Sequence, residues 1–209
     1  IQKEMMVTNG FNSPEYITIN RKDWINGTAT SAFATVQKRI GFPCVVKPAN
    51  QGSSIGVSIL NSGNEIAFMS AVEKALFTRW IDAKEWQAFS ADEKHNYVKT
   101  LADIREGMGL PVLISHPKEL NAPVIYDPSD LIRFLDVNLK TGGFVVESLD
   151  GESTVLVEGF IEGKEFSCIV LEDEQGNAIA LPPTEIRKGK ELFDYRSKYL
   201  PGLSRKITP

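Results

Sequence analysis

Residues 42–60 read FPCVVKPANQGSSIGVSIL, a pattern that predicts a strand, a flexible loop and a second strand in succession. The apolar, β-branched run before Lys47 is typical of a buried strand. Pro48 ends that strand because it has no N–H to donate. An apolar run resumes over residues 55–60 and predicts the return strand of a hairpin. The sequence therefore places a lysine beside a loop of small polar residues.

The loop has the chemistry of a phosphate-binding site. Gly52 lets the backbone pass close to a ligand, and the hydroxyls of Ser53 and Ser54 are donors suited to phosphate oxygens. A polar turn with a solvated lysine is the ordinary alternative, since glycine-serine loops are common. The stretch is not a Walker A loop, because Lys47 precedes the glycine and no helix opens after it.

Composition bounds the class of protein. The chain has 209 residues, 42% of them hydrophobic and 24% charged, which are values of an ordinary soluble globular protein. Its net charge of -4 gives no electrostatic footprint for nucleic acid or an anionic membrane, so we expect neither as a partner. No apolar run approaches the roughly 20 residues needed to span a bilayer, and no signal-like segment opens the chain. A cytoplasmic protein is therefore expected.

Four residues that often carry chemistry receive a structural interpretation. Cys44 and Cys168 each lie inside an apolar run, which predicts buried reduced thiols and neither a disulfide nor a metal pair. His95 and His116 have no partners at metal-ligand spacing, so we expect ordinary surface histidines. The sequence thus offers no metal site.

Helix signals are distributed along the chain. Residues 1–8 predict a helix that ends at Asn9-Gly10, and residues 30–40 predict another. Residues that can cap further helices precede three other apolar patterns, at Ser62, Ser90 and Asp127.

Two carboxylates flank a turn in the second half of the chain. Glu158 closes an apolar run that begins at Thr154, and Glu165 follows the turn after it. A solvated strand end is one interpretation of both carboxylates. The order of motifs along the whole chain suggests another.

Three stretches, taken in order, resemble the D-alanine–D-alanine ligases, a family of ATP-grasp enzymes. They are the Lys47 hairpin, VLVEGFIEGKEF at 155–166 and FDYRSKY at 193–199. The resemblance implies an α+β ATP-grasp fold with an antiparallel sheet and helices. It also implies that ATP and Mg²⁺ are the cofactors.

The resemblance assigns the nucleotide contacts residue by residue. It implies that Lys47, Gly52, Ser53 and Ser54 surround the phosphates. The hinge Gly159-Phe160-Ile161 would meet the adenine edge through the Gly159 carbonyl and the Ile161 N–H, with Glu158 beside it. Glu165 would accept hydrogen bonds from the ribose hydroxyls, a role that suits an acceptor-only carboxylate.

The third stretch resembles the loop that closes over the active site in this family. Lys198 would hold the terminal phosphate of ATP. Tyr199 would join Ser53 in a hydrogen-bonded bridge that orders the closed site. The resemblance therefore makes Ser53, Lys198 and Tyr199 the catalytic candidates. Phe193 departs from the family pattern, which has a tyrosine there.

The resemblance also divides the chain. Residues 1–79 begin the nucleotide-binding subdomain, residues 152–163 hold the return strand and hinge, and residues 164–209 begin the C-terminal catalytic subdomain with its lid loop. Residues 80–151 are predicted to be a helical insertion that packs as an appendage, with a small core of its own. The aromatic residues expected in that core are Trp80, Trp86, Phe89 and Tyr97.

In this family the magnesium-binding acidic residues and the catalytic arginine lie beyond the position of Pro209, and the first ATP-site lysine lies before Ile1. We therefore expect this chain to be a piece of a longer protein and to be inactive alone. The implied reaction joins two D-alanines: ATP phosphorylates one carboxylate, and the second amine attacks the acylphosphate.

Two alternatives stay open from the sequence. One is an ATP-grasp ligase with a different amino acid or peptide substrate. The other is a non-catalytic nucleotide-binding module whose insertion is a docking surface. The sequence also leaves the oligomeric state open, with a homodimer as one possibility.

Overall fold

The computed structural model describes residues 2–115, 123–188 and 204–208. It divides into two compact units, Ile1–Phe160 and Ile161–Pro209, and each is described by itself. Among these described residues, the helices lie in the first unit: α1 Gln2–Thr8, α2 Arg21–Ile25, α3 Ala29–Arg39, α4 Glu65–Leu76, α5 Ala83–Ala88, α6 Ala91–Ala102 and α7 Pro128–Asn138. The strands of that unit are β1 Tyr16–Asn20, β2 Cys44–Pro48, β3 Ser58–Leu60, β4 Thr78–Asp82, β5 Val112–Ser115, β6 Val124–Ile125, β7 Gly143–Ser148 and β8 Thr154–Gly159.

The first sheet contains the predicted hairpin. Its antiparallel strands lie in the order β1-β8-β2-β3. Alternate β2 residues Cys44 and Val46 point into a core that they share with Phe33, Phe68 and the other buried residues of α2, α3 and α4. Because strand side chains alternate between faces, Val45 and Lys47 lie on the opposite face. Lys47 is therefore held by a strand that is fixed by its buried neighbours.

The return strand is shorter than predicted. It begins at Ser58, whereas the apolar pattern placed its start at Ile55. Ile55 is apolar because it packs against the second hydrophobic core, and not because it pairs in the sheet. The loop between β2 and β3 is correspondingly longer.

The predicted helical insertion contains a second sheet, so its helical description is wrong in part. The antiparallel strands lie in the order β4-β7-β5-β6, and α5, α6 and α7 pack with them around a second core. Trp86 makes edge contacts with Phe89 and Tyr97, as the aromatic pattern predicts. Trp80 does not join them and is 43% exposed.

The insertion packs against the rest of the first unit, and its predicted status as an appendage stays a prediction. Phe77 follows directly on α4 but belongs to the second core, and Ile55 of the hairpin loop packs against that core. Arg21 joins the two regions: its Nε donates to the Glu152 carbonyl at 2.8 Å and its Nη1 donates to Glu147 Oε2 at 2.8 Å. The two cores therefore form one compact unit.

Most helix caps follow the sequence signals. Ser90 and Glu93 form the predicted capping box at α6, and the Asp127 side chain caps α7. The box predicted at Ser62 is wrong, because α4 begins at Glu65 and the Asn64 side chain accepts a hydrogen bond from the Ala67 N–H instead. An asparagine directly before the helix is an equally good cap.

The second unit consists of short antiparallel strands. They are β9 Glu165–Ser167, β10 Val170–Glu172, β11 Ala178–Ala180, β12 Thr184–Lys188 and β13 Ser204–Ile207. Strands β10 and β11 pair with each other on either side of a turn. Cys168 is exposed, so the prediction of a buried thiol there is wrong, whereas Cys44 is buried as predicted. The flanking apolar run is exposed as well, with Val170 58% and Leu171 52% exposed.

The structure confirms an α+β protein with antiparallel sheets. Across the described ranges, no helix combines the length and apolar character needed to cross a membrane.

Candidate functional site

Lys47 and Glu158 meet on the face of the first sheet that points away from α2, α3 and α4. In the antiparallel pairing of β2 and β8, Val45 lies opposite Glu158 and Lys47 lies opposite Leu156. Lys47 and Glu158 are thus diagonal neighbours, a spacing that long side chains can bridge. The Lys47 Nζ donates to Glu158 Oε1. The sequence predicted both residues at one site, and the structure brings them together.

A second lysine holds the other oxygen of the same carboxylate. The Nζ of Lys3, on α1, lies 2.5 Å from Glu158 Oε2. It also donates to Ser13 Oγ at 3.0 Å and lies 5.9 Å from the centroid of the Tyr16 ring. Tyr16 is directly opposite Glu158 in the pairing of β1 with β8. Helix α1 therefore contributes a charge to the site, which the sequence reasoning missed.

The electrostatics favour an ionised Glu158. Burial by itself raises the pKa of this carboxyl, but the hydrogen bonds and charges of Lys3 and Lys47 outweigh burial and leave the pKa below its usual range. The Glu158 side chain is 11% exposed, against 20% for Lys3 and 32% for Lys47. Two cations and one carboxylate leave one net positive charge beside the hairpin loop, which suits an anionic ligand.

The hairpin loop has an unusual backbone. Ser53 and Ser54 have φ angles of 55° and 59°, in the left-handed region that non-glycine residues rarely adopt. Such conformations are found preferentially at functional sites. Gly52, which sequence reasoning singled out, shows no positive φ and no close neighbour. The tight position is Gly56: a Cβ built there would lie 2.7 Å from Pro48 Cγ.

The base of the loop is anchored by a buried polar contact. Asn50 Nδ2 donates to Glu152 Oε2 at 3.1 Å, and Glu152 is 5% exposed. The Ala49 N–H also donates to the Thr154 carbonyl at 3.1 Å. These bonds extend the contact between the two chain segments beyond the end of the β2–β8 pairing at Pro48.

The predicted hinge runs from the first unit into the second. The Gly159 N–H donates to the Glu15 carbonyl at 3.3 Å and the Phe160 N–H donates to the Pro43 carbonyl at 3.1 Å. Ile161 is 70% exposed and begins the second unit. Glu165, the predicted ribose ligand, is half-buried on β9, where Ile186 of β12 lies opposite it. Their adenine and ribose roles stay predictions.

Some predicted residues lie outside the described residues: Lys198, Tyr199, Phe193 and His116. His95 lies on α6 with its side chain exposed, and its Nδ1 is 3.0 Å from the Ala91 carbonyl. This is an ordinary surface position. Within the ranges that the structure describes, no group of three or more His, Cys, Asp or Glu side chains is arranged to hold a metal ion. The described residues therefore supply no ligand set for Mg²⁺.

Comparison with known proteins identifies the family. The family model for the "D-ala D-ala ligase C-terminus" matches residues 5–79 and 138–208, well over half of the chain. The chain therefore belongs to this family, and the resemblance inferred from its motifs is confirmed. Residues 80–137, which lie within the predicted insertion, fall between the two matched segments.

Relatives and solved structures carry related names. The D-alanine–D-alanine ligase of Carboxydothermus hydrogenoformans is 32% identical over 137 residues, which are 66% of this chain and 41% of the relative. The ligase of Halothermothrix orenii is 24% identical over 191 residues, 91% of this chain and 33% of the relative. In a comparison with the structure of VanG D-Ala:D-Ser ligase from Enterococcus faecalis, the matched region covers 98% of this chain and 35% of the VanG chain. The sequence identity is 17% and the TM-score is 0.48. The chain spans less than half the length of these proteins.

Proposed function

We propose that this chain binds ATP for an ATP-dependent carboxylate–amine ligase that joins two D-alanines. The observation that carries the proposal is the Lys3–Glu158–Lys47 cluster beside the hairpin loop, in a chain of the D-Ala–D-Ala ligase family. The proposed substrate is that of the D-alanine–D-alanine ligases to which the chain is similar.

In this proposal the Lys47 ammonium binds the nucleotide phosphates, either in place of Glu158 or together with it. The hydroxyls of Ser53 and Ser54 donate hydrogen bonds to the same phosphates. Glu158 stays ionised, because Lys3 still holds its other oxygen. An ionised carboxylate can accept from the amino group of adenine. Gly159, Phe160 and Ile161 would line the rest of the adenine edge.

The remaining contacts are proposed on the family pattern. Glu165 takes the ribose hydroxyls, Lys198 takes the terminal phosphate, and Tyr199 bonds Ser53 in the closed site. Mg²⁺ would neutralise phosphate charge when bound, with ligands expected outside the described residues. The cytoplasm is the proposed location, and a homodimer stays a prediction from the sequence.

The reaction follows from these assignments. A D-alanine carboxylate oxygen attacks the terminal phosphorus of ATP and ADP leaves. The amine of a second D-alanine then attacks the acyl carbon, and inorganic phosphate leaves as the peptide bond forms. For the first step the chain contributes placement and charge neutralisation through Lys47 and Lys198, which is how phosphoryl transfer is generally catalysed.

The test compares ATP with adenosine by titration calorimetry. Lys47→Met should weaken ATP binding about ten- to a hundredfold, the value of one charge-assisted contact, and weaken adenosine much less. Lys38→Met removes an exposed lysine on α3 and is the matched control. Equal losses for ATP and adenosine would contradict the assignment of Lys47 to phosphate.

The substrate needs a separate measurement. In a complete ligase that contains this chain, ADP release should depend on D-alanine. Release that is equally fast with L-alanine or another amino acid would support the alternative of a different substrate. ATP binding without any amino-acid-dependent release would support the non-catalytic module.

A further inference from the structure

A cavity of about 410 Å³ lies in the first unit, away from Lys47. Its walls come from the end of α4, from β4, from α6 and from the turn at 106–108. Small-molecule sites commonly have volumes of about 300 to 1,000 Å³. The apolar part of the lining consists of Phe77, Phe89, Tyr97, Leu101 and Met108. The cavity is thus large enough and apolar enough to hold a small organic molecule.

Two hydrogen-bond donors on the lining have no protein acceptor. Arg79 is half-buried, and within residues 2–115, 123–188 and 204–208 no group forms a hydrogen bond or ion pair with its guanidinium. The Tyr97 hydroxyl likewise has no hydrogen-bond partner in that part of the chain. Burial raises the pKa of Tyr97, so its hydroxyl stays protonated and remains a donor. Both donors are therefore available to a ligand that brings acceptors.

Charges of both signs surround Arg79, and the carboxylates near the cavity are those of Glu73, Glu85, Glu93 and Glu106. Lys74 is a second cation on the lining, and its Nζ makes only a long contact of 3.5 Å to the Val57 carbonyl. Of the carboxylates nearby, Glu93 is engaged with Ser90 in the α6 capping box. Burial raises the pKa of Glu73 and the Arg79 charge opposes that rise, which places Glu73 near the guanidinium without an ion pair. Glu106 also lines the cavity.

We propose that this cavity binds a small apolar monocarboxylate. The carboxylate accepts from the Arg79 guanidinium and the Tyr97 hydroxyl, and the apolar body packs against Phe77, Leu101 and Met108. Arginine suits this role because its planar fork matches a carboxylate with two parallel hydrogen bonds. Most of the lining comes from residues that the family model does not match, whereas Lys74, Phe77 and Arg79 lie at the end of its first matched segment.

Two residues of the cavity wall also contact the hairpin loop. Phe77 lines the cavity, and its Cζ lies 3.3 Å from the position that a Cβ on Gly56 would take. Lys74 joins the cavity to the loop through the Val57 carbonyl. A ligand that contacts Phe77 and Lys74 therefore changes the surroundings of the loop that carries Ser53 and Ser54. We infer that the ligand is an effector of nucleotide binding, and this consequence rests on the proposed function.

The binding test is an amide NMR titration with 3-phenylpropionate. The controls are 3-phenylpropanamide, which keeps the shape without the charge, and acetate, which keeps the charge without the apolar body. We expect saturable shifts at Tyr97, Leu101 and Met108, with a Kd on the order of 1 mM or lower for a ligand of this size. Equal affinity for the acid and the amide would overturn the proposal. So would shifts that centre on Lys47 or do not saturate.

Variants locate the carboxylate. Arg79→Met should weaken 3-phenylpropionate at least about tenfold. Arg133→Met removes a 75% exposed arginine on α7 and should leave the Kd unchanged. Tyr97→Phe removes only the hydroxyl and should weaken binding about three- to tenfold, so it tests the same site if Arg79→Met fails to fold. Wild-type affinity in both Arg79→Met and Tyr97→Phe would refute the site.

The coupling is measured separately. In the titration the amides of Gly56 and Val57 should shift together with those of the cavity, and ATP affinity should change when 3-phenylpropionate is saturating. Coupling is reciprocal, so ATP should change the affinity for 3-phenylpropionate by the same factor. Unchanged affinities would refute the effector role while the site stands. Failure of the chain to bind ATP would instead refute the proposed function.

Discussion

Lys3 and Lys47 each hold one oxygen of the Glu158 carboxylate, although Lys3 lies on α1 and Lys47 on β2. Through these two ion pairs, Glu158 on β8 is connected to both α1 and β2. A buried carboxylate with two partners keeps its charge and its position when one partner is withdrawn. If Lys47 binds a nucleotide phosphate as proposed, Lys3 still pairs with Glu158, so no buried charge is left unpaired.

Glu158→Gln should destabilise the chain, and the loss should shrink in acid. The folded protein holds the pKa of Glu158 below its usual range, so its stabilising contribution is present above the unfolded pKa of about 4.3. The contribution is lost as the pH falls through the folded pKa. We expect a loss of about 3 kcal/mol in the free energy of unfolding near pH 7. Urea unfolding of both proteins between pH 7 and pH 3 measures the difference.

The matched control for this charge change is Glu15→Gln. Glu15 pairs with Arg39 at 2.9 Å, but both side chains are more than half exposed. Exposed pairs contribute at most about 1 kcal/mol. A Glu158→Gln effect that is no larger than the Glu15→Gln effect, or that does not change with pH, would show that the Lys3–Glu158–Lys47 cluster is not a stabilising ion pair.

Lys198→Ala should discriminate between ATP and ADP. If Lys198 contacts the terminal phosphate, its removal weakens ATP by about tenfold or more and leaves ADP nearly unchanged. Lys206→Ala removes an exposed lysine of β13 and is the control. Calorimetry measures the affinity for each nucleotide. An equal loss of affinity for ATP and ADP would show that Lys198 does not contact the terminal phosphate.

The parts of the fold that rest on local patterns were predictable. The alternation in β2 and β8 and the capping box at Ser90 are short-range signals, and each appears where the sequence placed it. The same patterns placed Lys47 and Glu158 at or near the ends of apolar strands. The resemblance to the ligase family then assigned both residues to one site. Their direct ion pair then follows from the pairing of the two strands.

The parts that depend on contacts distant in sequence were not predictable. Lys3 and Glu158 lie near opposite ends of the first unit in sequence, although they are in contact in space. No sequence pattern near Lys3 indicates that it pairs with Glu158. Ile55 looked like a strand residue, but its partner is the second core. Cys168 has the apolar neighbours of a buried residue, yet exposure depends on what covers the strands, which a local window does not contain.

The two cysteines should differ in reactivity. Cys44 is buried, and burial raises the pKa of its thiol to about 11, so little thiolate is present near neutral pH. Cys168 is exposed. Iodoacetamide on the native chain should therefore label Cys168 and leave Cys44 unlabelled until urea unfolds the protein. Mass spectrometry of the peptides measures this, with Cys168→Ser as the control that should show no native labelling.

Arg21→Met should destabilise the whole first unit, because Arg21 joins its two cores. The guanidinium donates to Glu147 Oε2 and to the carbonyls of Glu152 and Leu76. The side chains of Arg21 and Glu147 are 19% and 15% exposed, so little water can replace these bonds. We expect a loss of about 3 to 5 kcal/mol in the free energy of unfolding, the usual effect of breaking a buried pair.

Arg39→Met is the matched control for that arginine, because it breaks the exposed pair with Glu15 and should cost less than about 1 kcal/mol. In a double-mutant cycle, Arg21→Met and Glu147→Gln should couple by about 1 to 3 kcal/mol. Arg21→Met should cost more than Glu147→Gln, since only the former removes donors from the two carbonyls. If the two cores are one cooperative unit, Arg21→Met lowers a single unfolding transition followed at both Trp24 and Trp86. Two separate transitions would show that the insertion is an independent appendage. So would a loss in the free energy of unfolding no larger than that of Arg39→Met.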